Sequence, residues 1–428
     1  MPFGLSKYVE AFFIVASVVF LIYFTAVALS YGLHAAKPGL GATTTKTLPV
    51  NPSVDVILSL PYLFTVNTTS KVPGGVTLYD ENLSYPGLNL FTYYEDGAYL
   101  VDMRGRIVYN WSYNPESPYA SLMLAGGLNN SWETVRLGRD GSLYVLEYTA
   151  QNMSVARLDW DSNPVWINKG EYHHDVDVSA EGAVVALKNR VRNVTRGGGQ
   201  YSIVDNDVVV FTPDGTVLRS LSVYDLLGDR LSDAEFLRLY ESVPRTPYPD
   251  ILHSNTVSFI EEDRPYWRKG NLLVCVRNLN TVFIVDAAKG KVVWSWGPGF
   301  LDLPHKPVVL EDGNILVLDN GASSNRSRVV EYDPVRNETV WVYDAFYTQI
   351  RGGVQKLPNG NVLITESQEG RAFEVTVDGR TVWEYYAPLK ESGERYVIYR
   401  MSRITPEQLS EMTLPQSISG KLSLSERT

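Results

Sequence analysis

From about residue 76 the chain consists of short runs in which apolar and polar residues alternate, each broken by a DG, NG or EG pair. Period-two alternation between glycine-bearing turns predicts strands joined by tight hairpins. Three segments align without gaps: "HDVDVSAEGAVVAL" from His174, "HKPVVLEDGNILVL" from His305 and "GGVQKLPNGNVLIT" from Gly352. "ETVRLGRDGSLYVL" from Glu133 and "NLFTYYEDGAYLVD" from Asn89 hold the same register, and in all five the turn glycine falls eight residues after the first position. A sixth unit opens at His253 and carries a longer turn. Each unit continues into a second hairpin, several of them closed by tryptophan, as in "VFIVDAAKGKVVWSW" and "FEVTVDGRTVWEY". Four strands repeated six times predict an all-β protein, a six-bladed β-propeller over residues 76–404.

Other patterns frame this repeat. From Ala11 to Gly32 no charged residue occurs over 22 positions, long enough as a helix to cross a bilayer core and longer than a signal-peptide apolar region. We expect one N-terminal transmembrane helix at 11–32, with residues 1–10 cytoplasmic and a Gly, Thr and Pro-rich linker at 33–75. "SDAEFLRLYESV" pairs Ser232 with Glu235 as a capping box and Leu231 with Phe236 as a staple, which predicts a helix over one rim. "RYVIYRMSRI" is expected to add an outer strand that closes the ring, and residues 405–428 to form a tail, frayed in its last stretch.

Eight N-x-[ST] triplets begin at Asn67, Asn82, Asn110, Asn129, Asn152, Asn193, Asn325 and Asn337. That excess points to a glycosylated, extracytoplasmic body anchored at the cell surface. A net charge of −10 without a basic face argues against nucleic-acid binding. The single cysteine, Cys275, lies in "NLLVCVRN" and reads as a buried small hydrophobe.

Only five histidines occur in 428 residues. The residues leading the innermost strands, read from the repeat, are Asn89, Glu133, His174, His253, His305 and Gly352, so three histidines meet at one mouth of the channel. The following strand returns to the same mouth and brings Asn189, Arg277 and Asn320 there. Arg277 interrupts an apolar run, where a guanidinium needs a partner, and its planar fork suits a tetrahedral oxyanion. His173 is expected to face away from His174 by strand alternation, and His34 to sit beside the apolar segment.

"HHDVDVSAEGAVVAL", "ILHSNTVSF" with "LLVCVRNLNTVFIVD", "PHKPVVLEDGNILVLDNG", "SRVVEYDP" and "GNVLITESQEGRAFEVTVDGRTVWEY" resemble, in order, blocks of the arylsulfate sulfotransferases. The resemblance covers roughly residues 75–385. It implies a propeller enzyme, needing no cofactor, that moves a sulfuryl group from an aryl sulfate to a phenol without a nucleotide donor. It places the nucleophile on His305, passing through a sulfohistidine in a ping-pong cycle, and the sulfate contacts on His174, His253, Asn255 and Arg277. His253 and Asn255 lie one strand period apart and share a face. Two features depart from the family: a linker replaces its N-terminal sandwich domain, and Pro304 stands where a glutamine usually precedes the nucleophile.

Three other readings compete. A non-enzymatic surface propeller that binds anionic glycans or a surface protein explains the sequons but leaves the histidine register to chance. A quinoprotein dehydrogenase is suggested by "VDAAKGKVVW", which matches a blade-docking pattern in one unit only. Zinc on three imidazoles is disfavoured by Arg277, which a dication repels.

Overall fold

The inner strands of the repeat are near-continuous apolar runs, and every residue of Leu272–Val276, Ile315–Asp319 and Val362–Glu366 is buried. The fourth strands alternate instead: Lys291–Trp296 switches between exposed and half-buried positions. Burial on both faces near an axis, and on one face at the periphery, is what sheets stacked round a channel require. The computed structural model shows that arrangement, six antiparallel sheets that form a six-bladed propeller. It describes residues 65–67, 72–93, 97–112, 131–148, 153–244 and 246–415.

In blades two to six the innermost strands are Ser131–Leu137, Tyr172–Val178, Ser254–Phe259, His305–Val309 and Gly353–Lys356. Apolar clusters join neighbouring blades: Leu273, Cys275 and Ile284 of the fourth pack on Ile315, Val317 and Val330 of the fifth. Cys275 is fully buried, and burial pushes its thiol well above the ordinary range, so it behaves as the small hydrophobe the sequence suggested. Outer tryptophans tie three blades to their neighbours through the indole N–H, from Trp166 to Pro213 O (3.1 Å), Trp341 to Val377 O (2.8 Å) and Trp383 to Met103 O (2.8 Å). Such docking serves blade packing generally and does not by itself point to quinone chemistry.

The ring closes at two places, and one corrects the sequence reading. Gly75–Tyr79 adds a fifth, outermost strand to blade six by pairing with Thr381–Tyr386. Met401–Ile404, expected as an outer strand, is instead the innermost strand of blade one, paired with Leu88–Phe91. Asn89 therefore lies on the second strand, opposite Arg403, and not at the head of the first. Its alignment was shifted by one strand because a hairpin read alone looks the same at either position in a blade.

The predicted helix spans Asp233–Ser242, with Ser232 Oγ accepting from Glu235 N–H (3.2 Å) and Leu231 and Phe236 buried in one cluster. Glu235 turns to Arg238 instead of completing the box (2.7 Å). A second helix, Pro406–Glu411, carries a full capping box at Thr405 and Gln408, so the start of the expected tail is ordered. In blade three Val184–Arg196 and Gly199–Phe211 make a hairpin of 13 residues per strand that the repeat did not forecast.

Residues 11–32 and 417–428 lie outside the described residues, as does most of the 33–75 linker. Among the described residues no helix is long and apolar enough to cross a membrane. The sequon residues Asn82, Asn110, Asn193, Asn325 and Asn337 are all exposed.

Candidate active site

The innermost strands of blades two to five each begin with a bulge, at Trp132/Thr134, His173/Val176, Ser254/Thr256 and His305/Val308. Near these bulges and at the head of blade six sit non-glycine residues with positive φ: His174 (62°), His253 (51°), Lys306 (43°) and Arg351 (62°). That conformation costs about 1 kcal/mol or more for each residue and re-aims side chains that a regular strand would send to alternate faces. Buried polar groups hold the strained heads in place. Glu133 Oε2 accepts from His174 N–H (2.8 Å), Thr256 Oγ1 from Lys306 N–H (3.1 Å) and Asn206 Oδ1 from Ser254 N–H (2.8 Å). Each of these bonds satisfies a backbone donor of the neighbouring blade.

The bulges bring the histidines together. The His174 and His253 rings meet edge to face, with centroids 4.7 Å apart. His173 lies against His174, Nδ1 to Nδ1 2.7 Å, so it belongs to the cluster; the positive φ of His174 defeats the alternation that was expected to point it away. His305 is buried, and its charged form is opposed first by desolvation and then by the Arg277 guanidinium, with His253 and Arg400 adding to the effect. Its pKa is therefore well below the ordinary histidine value, and the ring is neutral at neutral pH. Burial and then His253 act in the same direction on His174.

Asn320 sets the tautomer of His305. Its amide nitrogen donates to two carbonyls, Thr348 O (2.8 Å) and Arg351 O (3.0 Å), which leaves Oδ1 facing His305 Nδ1 at 2.6 Å. An amide oxygen only accepts, so Nδ1 carries the proton and Nε2 keeps a lone pair. Leu303 O, 3.2 Å from Nδ1, favours the same tautomer, and the Arg351 backbone N–H approaches Nε2 at 3.3 Å.

Asn255 is fully buried and donates from Nδ2 to Pro304 O (2.8 Å), which Cys275 Sγ also approaches (3.3 Å). Its amide thus fixes the residue before His305. His253 bonds Asp250 twice, through Nδ1 to Oδ2 (2.8 Å) and from its backbone N–H to Oδ1 (3.0 Å). Burial alone would raise the Asp250 carboxyl, but His253 and its hydrogen bonds hold it below the usual range.

Arg277 is 3% exposed and bonds only Asn278 Oδ1 at 3.3 Å, with Nε unsatisfied; no carboxylate forms an ion pair with it among the described residues. Burial pushes its pKa down to about 10, still charged at neutral pH. A buried guanidinium without an ion-pair partner and with a donor to spare can recognise an anion. Asn189 does not join this group; it accepts from Asn206 Nδ2 (2.9 Å) within blade three.

The sequence reading missed several neighbours. Asp250 was legible in principle, three residues before His253 in "DILH". Asp175, with Lys306 Nζ at 3.2 Å and Arg400 Nη1 at 2.6 Å, was hidden by the bulges and by the shifted blade-one register, in which Arg400 leads an innermost strand. Among the described residues no group of three His, Cys, Asp or Glu side chains is arranged to hold a metal ion.

Among solved structures, one of a protein of unknown function from Bacteroides caccae is 12% identical, with a TM-score of 0.48 over 74% of this chain and 98% of that one. A catalytically inactive virginiamycin B lyase from Staphylococcus aureus, solved with quinupristin, is 10% identical, with a TM-score of 0.37 over 77% and 89%. Neither bears on what the chain does. No curated protein matches it. The sequence model of the arylsulfotransferase (ASST) family matches residues 141–387, a span that holds all three clustered strand-leading histidines, Asn255, Arg277 and Asn320. The chain belongs to the arylsulfotransferase family.

Proposed function

We propose that the protein transfers a sulfuryl group from an aryl sulfate to a phenolic acceptor through a sulfohistidine on His305, without a nucleotide donor. The observation that carries this reading is the Asn320 lock, which leaves His305 neutral with Nε2 unprotonated and held only by a long hydrogen bond from Arg351 N–H (3.3 Å), beside a buried guanidinium that has no carboxylate partner among the described residues. The Nε2 lone pair attacks sulfur as the sulfur–oxygen bond to the aryl group breaks, and the departing phenolate takes a proton from His253 Nε2. Asp250 Oδ2, 2.8 Å from His253 Nδ1, orients the ring for this step. In the second half, His253 removes the acceptor phenol's proton; the phenolate oxygen bonds sulfur while the sulfur–nitrogen bond breaks, and His305 returns to its starting tautomer.

Arg277 and His174 face the sulfuryl oxygens, where the fixed charge of Arg277 and the neutral imidazole of His174 lower the barrier, and Asn255 serves by holding the Pro304 carbonyl that leads into the nucleophile. A phenolic leaving group of pKa near 10 needs far less protonation than an alkyl alcohol, which sets the substrate class. Incubation with p-nitrophenyl sulfate and no acceptor is expected to add about 80 Da to the intact chain, mapped to His305 and absent in His305→Ala. Turnover that persists in His305→Ala would overturn the proposal. We also place the blades outside the cytoplasm on an N-terminal membrane anchor, a reading supported by the apolar run at 11–32 and the sequons.

A further inference from the structure

The apolar strand Leu272–Val276 ends in a short helical turn, Arg277–Leu279, followed by Asn280. Sulfuryl transfer as proposed uses Arg277 alone of this "RNLN" stretch. Its two asparagines are tied to catalytic elements on either side. Asn278 is 8% exposed, and its Nδ2 donates to two carbonyls, Asp250 O (3.2 Å) and Ile251 O (3.3 Å). A carbonyl only accepts, so the amide nitrogen must face that pair, and Oδ1 is left toward Arg277 Nη1 (3.3 Å). Backbone bonds from Arg277 N–H to His253 O (3.2 Å) and from Asn278 N–H to Leu252 O (3.1 Å) hold the turn against the His253 loop. One amide therefore decides which arm of the buried fork is occupied and which, Nη2, is left for an anion. That fork carries the charge acting most strongly on His305.

Asn280 reaches the other way. It takes the left-handed conformation (φ 52°), which asparagine tolerates better than most residues, and its Oδ1 accepts from Leu303 N–H (2.8 Å). Leu303 is itself left-handed (φ 54°) and presents its carbonyl to His305 Nδ1 (3.2 Å). Gly297 closes the turn from outside: a Cβ there would meet Asn280 O at 2.3 Å, so only glycine lets the two segments approach this closely. A single turn thus touches the His253 loop, the guanidinium and the backbone that leads into the nucleophile. Transfer needs the charge that holds the sulfuryl oxygens and the nitrogen that attacks sulfur at a fixed spacing, because small misplacements of reacting groups cost large factors in rate.

We infer that Asn278 and Asn280 are positioning residues for sulfuryl transfer, Asn278 aiming the Arg277 guanidinium and Asn280 setting the backbone before His305; this rests on the transferase reading. Two measurements on the full chain separate the roles. Calorimetric titration with sodium sulfate, at an ionic strength held by sodium chloride, reads the guanidinium, and kcat for p-nitrophenyl sulfate with phenol as acceptor reads the transfer. Arg277→Met, expected to take up no sulfate, identifies the site. Asn278→Leu is expected to bind sulfate at least about tenfold more weakly than the wild type. Should that variant not fold, Asn278→Asp serves, since its carboxylate takes up the Arg277 charge and the same loss is expected. Asn280→Gly suits the left-handed backbone and removes only the side chain; it is expected to bind sulfate within about twofold of the wild type while kcat falls on the order of 10–100-fold. Asn280→Asp, which returns an acceptor to Leu303 N–H, is expected to recover most of that loss. A merely structural turn would move both readouts together. The inference is overturned if the wild type takes up no sulfate, if a folded Asn278 variant binds it like the wild type, if Asn280→Gly keeps the wild-type kcat, or if Asn280→Gly loses sulfate affinity as Asn278→Leu does. Failure of the transferase reading shows differently, as a wild type that binds sulfate and does not turn over the ester.

Discussion

At the scale of single residues, the oxygen that Asn320 turns toward His305 is a neutral acceptor, and its neutrality matters as much as its position. In Asn320→Asp a carboxylate replaces it, favours the imidazolium and raises the pKa of His305, which the wild-type site holds well below the ordinary value. The acid limb of kcat/KM is then expected to move to higher pH, with a further loss on the order of 10²–10⁴-fold in Asn320→Leu, where no group holds the tautomer. An unchanged acid limb in Asn320→Asp would show that His305 does not titrate in the reaction. Arg277 makes the opposite kind of prediction, since its buried charge has no carboxylate partner. Arg277→Met is expected to abolish turnover yet unfold at higher denaturant concentration than the wild type, because activity and stability ask different things of that position. The three strand-leading histidines, Arg277 and Asn320 were legible because a repeat places equal positions at equal height. His173, Lys306 and Asp175 were not, since a single positive φ and a bulge redirect side chains without leaving a mark in the hydrophobic pattern.

At the scale of elements, the innermost strand Met401–Ile404 joins the end of the chain to blade one. Its Arg403 is fully buried between blades six and one, pairs with Glu374, donates to Asn89 Oδ1 (2.9 Å) and Tyr85 O (2.7 Å), and lies 4.7 Å over the Trp383 ring. Arg403→Met leaves the Glu374 carboxylate buried without that charge and is expected to cost about 3–5 kcal/mol by urea unfolding. Arg104→Ala, which breaks a half-exposed pair with Glu81, is expected to stay within about 1 kcal/mol. Equal losses would mean that Arg403 does not hold the closure. Six blades, their hairpin turns and the rim helix could be read from period and capping, which are local properties. The closure could not, because whether a terminal strand joins the inner or the outer edge is decided by which edge lacks a partner elsewhere in the ring.

At the scale of the whole molecule, the same propeller carries an exterior open to modification and an interior sensitive to protons. If the body is extracytoplasmic, as proposed, the exposed Asn82, Asn110, Asn193, Asn325 and Asn337 are reachable, and the anchored chain is expected to lose apparent mass on enzymatic deglycosylation. The interior makes a sharper prediction. His173, His174 and His305 are all held below their ordinary 6.5, His173 down to about 4, with burial the largest cause in each. Between pH 6.5 and about 4 the unfolded chain therefore binds protons that the folded chain refuses. The stability these neutral rings contribute is complete above 6.5 and drains away as pH falls, with a slope approaching 1.4 kcal/mol per pH unit for each ring, roughly. Urea unfolding at a series of pH values is expected to show this decline. His305→Gln, which removes one titrating ring, is expected to flatten it by about one proton's share. A wild type whose stability is level from pH 6.5 to 4 would mean that the rings charge as easily inside the channel as in water, and with that the neutral nucleophile on which transfer depends would be lost.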